Sequence, residues 1–259
     1  MLFRISIYIV CYALLSSVAN AEQEGYFSVV SREGVKQPFW LIEPDNATQC
    51  VILFPGGNGN IDIEKSGIGI QGNFLVRTRN QFAKRGMVVA VVDVPSDKDK
   101  LFRFRKTAEH ARDIQAVMAF IQQRHPNKPL WLVGTSRGTI SAANVAARVQ
   151  GNQGPHGIVL TSSVTKKSKK NLDSLEDVDL ASITVPTLVV HHKDDECKVT
   201  PFDGAEGLLA ELSAVKVKEF KSVSGGESPG KPCKGKSYHG FLGIEDNVVK
   251  LITDWIKAH

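Results

Sequence analysis

Hydrophobic and polar positions follow two alternating patterns along most of the chain. Short, nearly continuous apolar runs, such as MVVAVVDVP (87–95) and PLWLVGT (129–135), are typical of strands buried on both faces of a sheet. Longer segments with apolar residues three or four positions apart, such as KTAEHARDIQAVMAFIQQR (106–124), predict amphipathic helices. Strands that alternate with helices predict an α/β fold with a mostly parallel, doubly wound sheet. The same criteria predict strands at CVILF, GIVLTSS, TVPTLVVHH and VKVKEFKSV, and helices at NFLVRTRNQFAKRG, ISAANVAARVQ, FDGAEGLLAEL and EDNVVKLITDWIKAH.

The first two predicted strands break this alternation. YFSVVS (26–31) and KQPFWLIEP (36–44) are separated only by a short turn at Arg32-Glu33-Gly34, which predicts an antiparallel N-terminal hairpin. In open α/β sheets, ligands bind beyond the carboxyl ends of the parallel strands. Residues that directly follow the predicted parallel strands are therefore the first candidates for a functional site.

Residues 1–21 have the pattern of a secretory signal peptide. A basic start, MLFR, precedes an apolar run of about 14 residues that ends in Ala19-Asn20-Ala21, a pattern typical of cleavage after Ala21. A transmembrane helix needs about 20 apolar residues, so this run predicts cleavage and not an anchor. The sequence thus predicts export to the periplasm or the medium, a single domain over residues 22–259, and no membrane span after cleavage.

Charge and composition give no indication of a nucleic-acid partner. The formal net charge is +5, and removal of residues 1–21 would take away only Arg4 and leave +4. The basic residues are scattered apart from TKKSKK (165–170), which is typical of a solvated loop, whereas nucleic-acid-binding domains concentrate such charge. A hydrophobic content of 42% suffices for a sizeable core. The oligomeric state does not follow from the sequence.

A candidate nucleophile lies between a predicted strand and a predicted helix. PLWLVGT runs directly into Ser136, within the motif Gly134-Thr135-Ser136-Arg137-Gly138, and ISAANVAARVQ follows. In a tight strand-to-helix turn of this G-x-S-x-G type, the serine is presented at the top of the sheet and at the N-terminus of a helix. The helix dipole and its free N–H groups favour a developing anion there.

A nucleophilic serine requires a base, and the base requires an acid that orients it. When the nucleophile lies in such a turn, the chain order is serine, then acid, then histidine. His239, in SYHGF, follows the last predicted strand and is the candidate base. Asp194 and Asp195 follow the penultimate strand, and both are candidates for the acid. The other six histidines are predicted to be structural or exposed: His110, His125, His156, His191, His192 and His259.

Two backbone N–H groups are expected to form an oxyanion hole. One belongs to Arg137, the residue after the serine. The other is expected from the glycine-rich turn PGGNG (55–59), with Gly57 favoured and Asn58 as the alternative.

The segment VVHHKDDECKVT (189–200) contains residue types that bind metals. A structural site would need further ligands at characteristic spacing elsewhere, and the sequence offers none. We therefore expect neither a metal nor an organic cofactor.

Together, the PGGNG turn, the GTSRG motif, the acidic loop and SYHGF resemble the α/β-hydrolase fold superfamily over residues 22–259. The chain looks similar to exported bacterial proteins related to dienelactone hydrolases and prolyl-oligopeptidase-type esterases. The resemblance implies an α/β-hydrolase fold, and the segment between GIVLTSS and TVPTLVV, roughly residues 165–183, is too short for a large lid domain. It also favours Asp195, because the acid loop of this superfamily resembles H-G-x-x-D, here with His191 first and His192 in place of the glycine.

The same resemblance gives the cysteines a role. Cys197 and Cys233 fall in the acid loop and the histidine loop, so a disulfide between them would hold these loops together, and Cys50 would remain a buried free thiol. The implied function is a carboxylesterase-type serine hydrolase that acts on a small-molecule acyl substrate through Ser136, Asp195 and His239. The alternatives are an acyltransferase with the same triad, or a binding protein of this fold without catalysis.

Overall fold

The computed structural model of the protein describes residues 23–169 and 172–259, so the predicted signal peptide lies outside the described residues. The strands are β1 (Gln23–Arg32), β2 (Val35–Glu43), β3 (Gln49–Phe54), β4 (Ile63–Glu64), β5 (Gly67–Ile68), β6 (Met87–Val92), β7 (Leu130–Thr135), β8 (Gly157–Thr161), β9 (Thr187–His192) and β10 (Lys218–Val223). The α-helices are α1 (Phe74–Lys84), α2 (Ala108–Arg124), α3 (Gly138–Arg148), α4 (Phe202–Glu211) and α5 (Glu245–Ala258).

Eight strands form one sheet in the order β1-β2-β6-β3-β7-β8-β9-β10. The first two form an antiparallel hairpin, and β2 is also antiparallel to β6, whereas every other neighbouring pair is parallel. Because the central strands are covered on both faces, β3, β6, β7 and β8 are buried almost throughout. The fold class predicted from the sequence is confirmed.

Helices cover both faces of the sheet because strand side chains alternate between the faces. On one face, Ile52 and Leu132 pack in the same cluster as apolar residues of α2, α3 and α4. On the other face, Val51 and Val133 pack in the same cluster as apolar residues of α1 and α5. Two rigid layers thus hold the carboxyl ends of β3, β7 and β9 at one edge of the sheet.

Three segments extend beyond this edge. Residues 61–71 contain the small β4–β5 hairpin. Residues 97–107 form a chain of turns that leads into α2. The described part of the connection from β8 to β9 contains two short 3₁₀ turns, Leu175–Asp177 and Leu180–Ser182, and no larger insertion. In the described ranges, no helix has the length and apolar character needed to cross a membrane.

Candidate active site

Ser136 lies on the predicted tight turn, between the end of β7 and the start of α3. Its φ angle is +53°, a left-handed conformation that a residue with a side chain adopts only at a cost. The turn is stabilised by a hydrogen bond from the Ser136 N–H to the Thr161 carbonyl of β8 (2.9 Å). The backbone thus presents Ser136 above the sheet, at the amino end of α3.

Glycines on both sides make this turn sterically accessible. A Cβ atom on Gly134 would lie 2.5 Å from the Gly138 carbonyl oxygen, and one on Gly138 would lie 2.0 Å from the Phe54 carbonyl oxygen. Neither contact is tolerable for backbone atoms, so the close approach of β3, β7 and α3 requires a glycine at both positions. This is the physical basis of the GTSRG pattern.

The glycine-rich turn after β3 lies directly against Ser136. A Cβ atom on Gly56 would lie 2.8 Å from the Ser136 Cβ, and Gly57 adopts a φ of +65°. Within the described residues, the Gly57 N–H makes no hydrogen bond. Arg137, the other residue expected in the oxyanion hole, directly precedes α3. Its guanidinium lies over the Phe102 ring, 4.4 Å from the centroid.

A buried arginine supports this turn, and sequence reasoning did not identify it. Arg105 is 2% exposed and donates hydrogen bonds to the Pro55 carbonyl and the Ser141 hydroxyl, both at 2.8 Å. Burial, together with the nearby Arg137 charge, lowers the pKa of Arg105 to about 9. One guanidinium therefore connects the glycine-rich turn after β3 to helix α3, which follows Ser136. An arginine among the charged residues of SDKDKLFRFRK gives no sequence signal of such burial.

The structure distinguishes the two candidate acids. The Asp195 side chain is fully buried, and its Oδ2 atom lies 2.8 Å from Nδ1 of His239. Its oxygens also accept hydrogen bonds from the Thr200 hydroxyl and the Cys197 N–H, both at 2.9 Å. The Asp194 side chain is 62% exposed. Asp195 is therefore the carboxylate placed to orient the imidazole.

The electrostatics of Asp195 favour its ionised form. Burial alone would raise the pKa of this carboxyl group, but the hydrogen bonds from His239 and Cys197 and the proximity of the imidazole outweigh burial, so the pKa is lowered. A buried, ionised carboxylate next to Nδ1 selects the tautomer of His239 that carries its proton on Nδ1 and leaves Nε2 as an acceptor.

His239 lies on a 3₁₀ turn, Tyr238–Gly240, just before α5. Its carbonyl accepts a hydrogen bond from the Ser162 hydroxyl (2.8 Å), which fixes this turn to the end of β8. In the described part of the chain, Nε2 of His239 has no hydrogen-bond partner. The structure contains no hydrogen bond between His239 and Ser136, but both residues line one cavity. In enzymes without substrate, such catalytic hydrogen bonds are often long.

His192, which stands where the superfamily's loop has glycine, connects three segments. Its Nδ1 accepts the Asp194 N–H (3.0 Å), so Nε2 carries the proton and donates to the Gly225 carbonyl (2.8 Å). Its ring also stacks on Tyr238, with centroids 4.6 Å apart. This side chain holds the start of the acid loop next to the residue that precedes His239.

A disulfide joins Cys197 to Cys233, the pair that the superfamily resemblance implies. It links the loop of Asp195 to the segment before His239, and Cys50 is a buried free cysteine. In the described ranges, Asp195, Cys197 and His239 place potential metal-ligand atoms within 4.8 Å of one another. Because the Cys197 sulfur belongs to the disulfide, it cannot act as a thiolate ligand, and the donor set does not fit a metal site.

The cavity above Ser136 has a volume of about 440 Å³. Its walls come from the glycine-rich turn after β3, the segment that leads into α1, the turn of Ser136 and the segment before His239. Its lining includes Gly57, Ile61, Ile70, Phe74, Ser136, Lys234, Lys236 and His239.

Several solved structures share this architecture. A cold-adapted esterase from an Arctic intertidal metagenomic library aligns over 95% of this chain and 99% of its own, with 17% identity and a TM-score of 0.60. A dienelactone hydrolase from Anabaena variabilis aligns over 92% and 98%, with 15% identity and a TM-score of 0.64. An esterase from Pyrococcus furiosus aligns over 92% and 93%, with 13% identity and a TM-score of 0.64.

The model of the family described as serine aminopeptidase, S33, matches residues 66–178. No curated protein matches the chain in sequence. The chain has the α/β-hydrolase fold, and the resemblance to that superfamily is confirmed.

Proposed function

We propose that this protein is a serine hydrolase of the carboxylesterase type with Ser136, His239 and Asp195 as its catalytic triad. The observation that carries the proposal is the 2.8 Å contact between His239 Nδ1 and the buried Asp195 carboxylate, beside a cavity that Ser136 also lines. Esterases among the structures of the same fold support this reaction class.

The proposed reaction has two steps. Ser136 Oγ attacks the acyl carbon while Nε2 of His239 takes the hydroxyl proton, and the same Nε2 then protonates the leaving alcohol as the C–O bond breaks. Water, activated by His239, hydrolyses the acyl-enzyme and releases the carboxylic acid. Asp195 stabilises the imidazolium in both steps.

The negative charge that develops on the carbonyl oxygen requires N–H donors. We assign this role to the backbone N–H groups of Gly57 and Arg137. The left-handed φ of Gly57 and its contact with the serine turn through Gly56 support the assignment. Arg105 positions the turn by binding the Pro55 carbonyl.

We also propose that the protein acts after export, as one domain over residues 22–259. The signal-peptide pattern of residues 1–21 and the Cys197–Cys233 disulfide support this location, because disulfides persist in oxidising compartments.

Hydrolysis of a series of 4-nitrophenyl esters with increasing acyl length tests the proposal. We expect turnover by the wild type and a loss of at least about 10⁴-fold in kcat for Ser136→Ala. Ser163→Ala is the matched control, because Ser163 is a buried serine next to the site whose hydroxyl has no partner in the described residues. Equal rates for wild type and Ser136→Ala would refute the assignment. Ester formation with an added alcohol, in place of hydrolysis, would favour an acyltransferase.

A further inference from the structure

The lining of the cavity carries positive charge without a neighbouring carboxylate. Lys234 and Lys236 line it, and among the described residues that form its walls none is acidic. Neither lysine takes part in an ion pair with the described part of the chain. Both belong to the segment KPCKGK (231–236), here called the lysine loop, which contains three lysines and no carboxylate.

The backbone of the lysine loop is held firmly, although its lysine side chains are exposed. Cys233 is bonded to Cys197, and the Lys236 carbonyl accepts a hydrogen bond from the Gly230 N–H (2.7 Å). The loop also packs tightly against the segment before α1, since a Cβ atom on Gly235 would lie 2.0 Å from the Gly72 carbonyl oxygen. The backbone positions of Lys234 and Lys236 beside the cavity are therefore fixed by a disulfide, a hydrogen bond and close packing.

The direction of the proposed reaction determines which half of the ester meets these charges. His239 delivers a proton to the leaving oxygen, so the alcohol portion must lie next to its Nε2 atom. Lys234 and Lys236 precede His239 by five and three residues in the same segment. The carbonyl oxygen points instead toward the N–H groups of Gly57 and Arg137.

We propose that the preferred substrates are esters whose alcohol portion carries an anionic group, a carboxylate or a phosphate, that pairs with Lys234 and Lys236. This inference rests on the proposed hydrolase function. Unpaired lysines beside a cavity without carboxylates attract such an anion, and the apolar side chains Ile61, Ile70 and Phe74 line another part of the cavity.

Acetate esters that differ only in the charge of the alcohol test the proposal. We compare kcat/KM for 4-acetoxybenzoate and 4-acetoxyphenyl phosphate with that for the neutral 4-acetoxybenzamide, each relative to spontaneous hydrolysis. The wild type should prefer the anionic esters, and this preference should fall about three- to tenfold in Lys234→Gln/Lys236→Gln. The preference of the wild type for anionic esters should come from a lower KM, and it should shrink as the salt concentration rises from about 0.05 to 0.5 M.

The readout is the ratio of kcat/KM for the anionic ester to that for the neutral ester. A variant that contains less folded protein lowers both values equally, so the ratio does not change for that reason. The matched control is Lys216→Gln/Lys257→Gln, which removes the same charge from exposed lysines that do not line the cavity and should leave the ratio unchanged. A preference for one anionic ester would identify carboxylate or phosphate as the group.

Two outcomes would overturn the proposal while the hydrolase function stands. One is equal use of charged and neutral esters, or a preference that the double variant retains. The other is that the two lysines affect kcat/KM only for esters with the anion in the acyl portion. That case is measured with the mono-4-nitrophenyl ester of glutaric acid, compared with the same ester in which the free carboxylate is an amide. If the wild type hydrolyses none of these esters or the 4-nitrophenyl series, the proposed function itself fails.

Discussion

The two halves of the site are held in different ways. The serine half is built by the backbone: Ser136 has a φ of +53°, and Gly138 approaches the Phe54 carbonyl more closely than any other residue type could. The acid–histidine half is built by side chains, since the Asp195 carboxylate accepts hydrogen bonds from His239, Thr200 and the Cys197 N–H.

Because the two halves are held differently, different kinds of substitution should disturb each of them. A backbone-built turn fails when a single Cβ is added to one of its glycines. The contacts between the Asp195 and His239 segments depend on each hydrogen-bond donor, because the two segments are distant in the chain. The Cys197–Cys233 disulfide, which joins residues 36 positions apart, links these two segments covalently. A Cβ added to a glycine of the serine half should thus lower stability first, whereas loss of a hydrogen-bonding side chain in the other half should lower activity first.

Among the substitutions that compare the two halves, the largest effect is expected for Asp195→Asn. The amide cannot hold the imidazole with its proton on Nδ1, so kcat should fall by about 10⁴-fold while the protein remains folded. Asp194→Asn is the matched control and should stay within about twofold, because that side chain is mostly exposed. The two kcat values for one 4-nitrophenyl ester decide between the aspartates, and a larger loss for Asp194→Asn would contradict the assignment.

Gly138→Ala tests the backbone half. Its Cβ would lie 2.0 Å from the Phe54 carbonyl oxygen, so we expect a loss of about 4 kcal/mol or more in the free energy of unfolding, or no soluble protein. Gly207→Ala, within α4, has no atom within 4 Å of the added Cβ and should stabilise the protein by up to about 1 kcal/mol. Denaturant unfolding of both variants measures the contrast. A near-wild-type stability for Gly138→Ala would refute the steric account of the turn.

Removal of the disulfide tests the covalent support of the other half. For a loop of this length, Cys197→Ala/Cys233→Ala should lower the free energy of unfolding by about 3–4 kcal/mol in the chain-entropy model. We also expect a lower kcat, because the loops of Asp195 and His239 lose their connection. Reduction of the wild type should reproduce both changes and have no effect on the double variant. An unchanged kcat would show that the hydrogen bonds alone position His239.

The smallest effect expected is a dependence of stability on pH. Burial, partly offset for His191 by the Asp195 charge, lowers the pKa of His110 to about 3 and that of His191 to about 4, from 6.5. Both imidazoles are thus neutral in the folded state, and below about pH 6.5 they become protonated on unfolding. Their stabilisation is complete above about pH 6.5 and is lost as the pH falls toward these lowered values. Each should contribute roughly 1 kcal/mol per pH unit.

Fluorescence-detected unfolding between pH 7 and 5 measures this slope for His110→Leu and His191→Asn. Each variant should show a shallower slope than the wild type. His156→Gln, a substitution of an exposed histidine, should leave the slope unchanged. Identical slopes for all four proteins would mean that neither buried histidine is kept neutral by its surroundings.

The sequence predicted the serine half more completely than the acid–histidine half. GTSRG has a local steric cause, so five consecutive residues suffice to recognise the turn, and the order of strands predicted His239. The choice between Asp194 and Asp195 could not be made from their own chemistry, because it depends on which carboxylate is buried beside Thr200 and His239.

Residues that act only through tertiary contacts gave no sequence signal. Arg105 lies in a segment rich in charged residues, yet it is buried and bonded to the Pro55 carbonyl of the glycine-rich turn after β3. His192 is a departure from the superfamily's pattern whose reason is visible only in its contacts with Gly225 and Tyr238. The fold follows from hydrophobic patterns, whereas these supports depend on how distant segments meet.

The central claim is that Ser136 is a nucleophile activated by His239, and labelling with a fluorophosphonate measures this most directly. Intact-mass analysis should find a single adduct on the wild type, located by peptide mapping at Ser136 and absent from Ser136→Ala. Asp195→Asn should label far more slowly, and Asp194→Asn at the wild-type rate. Lack of labelling on the wild type, or an equal adduct on Ser136→Ala, would contradict the account.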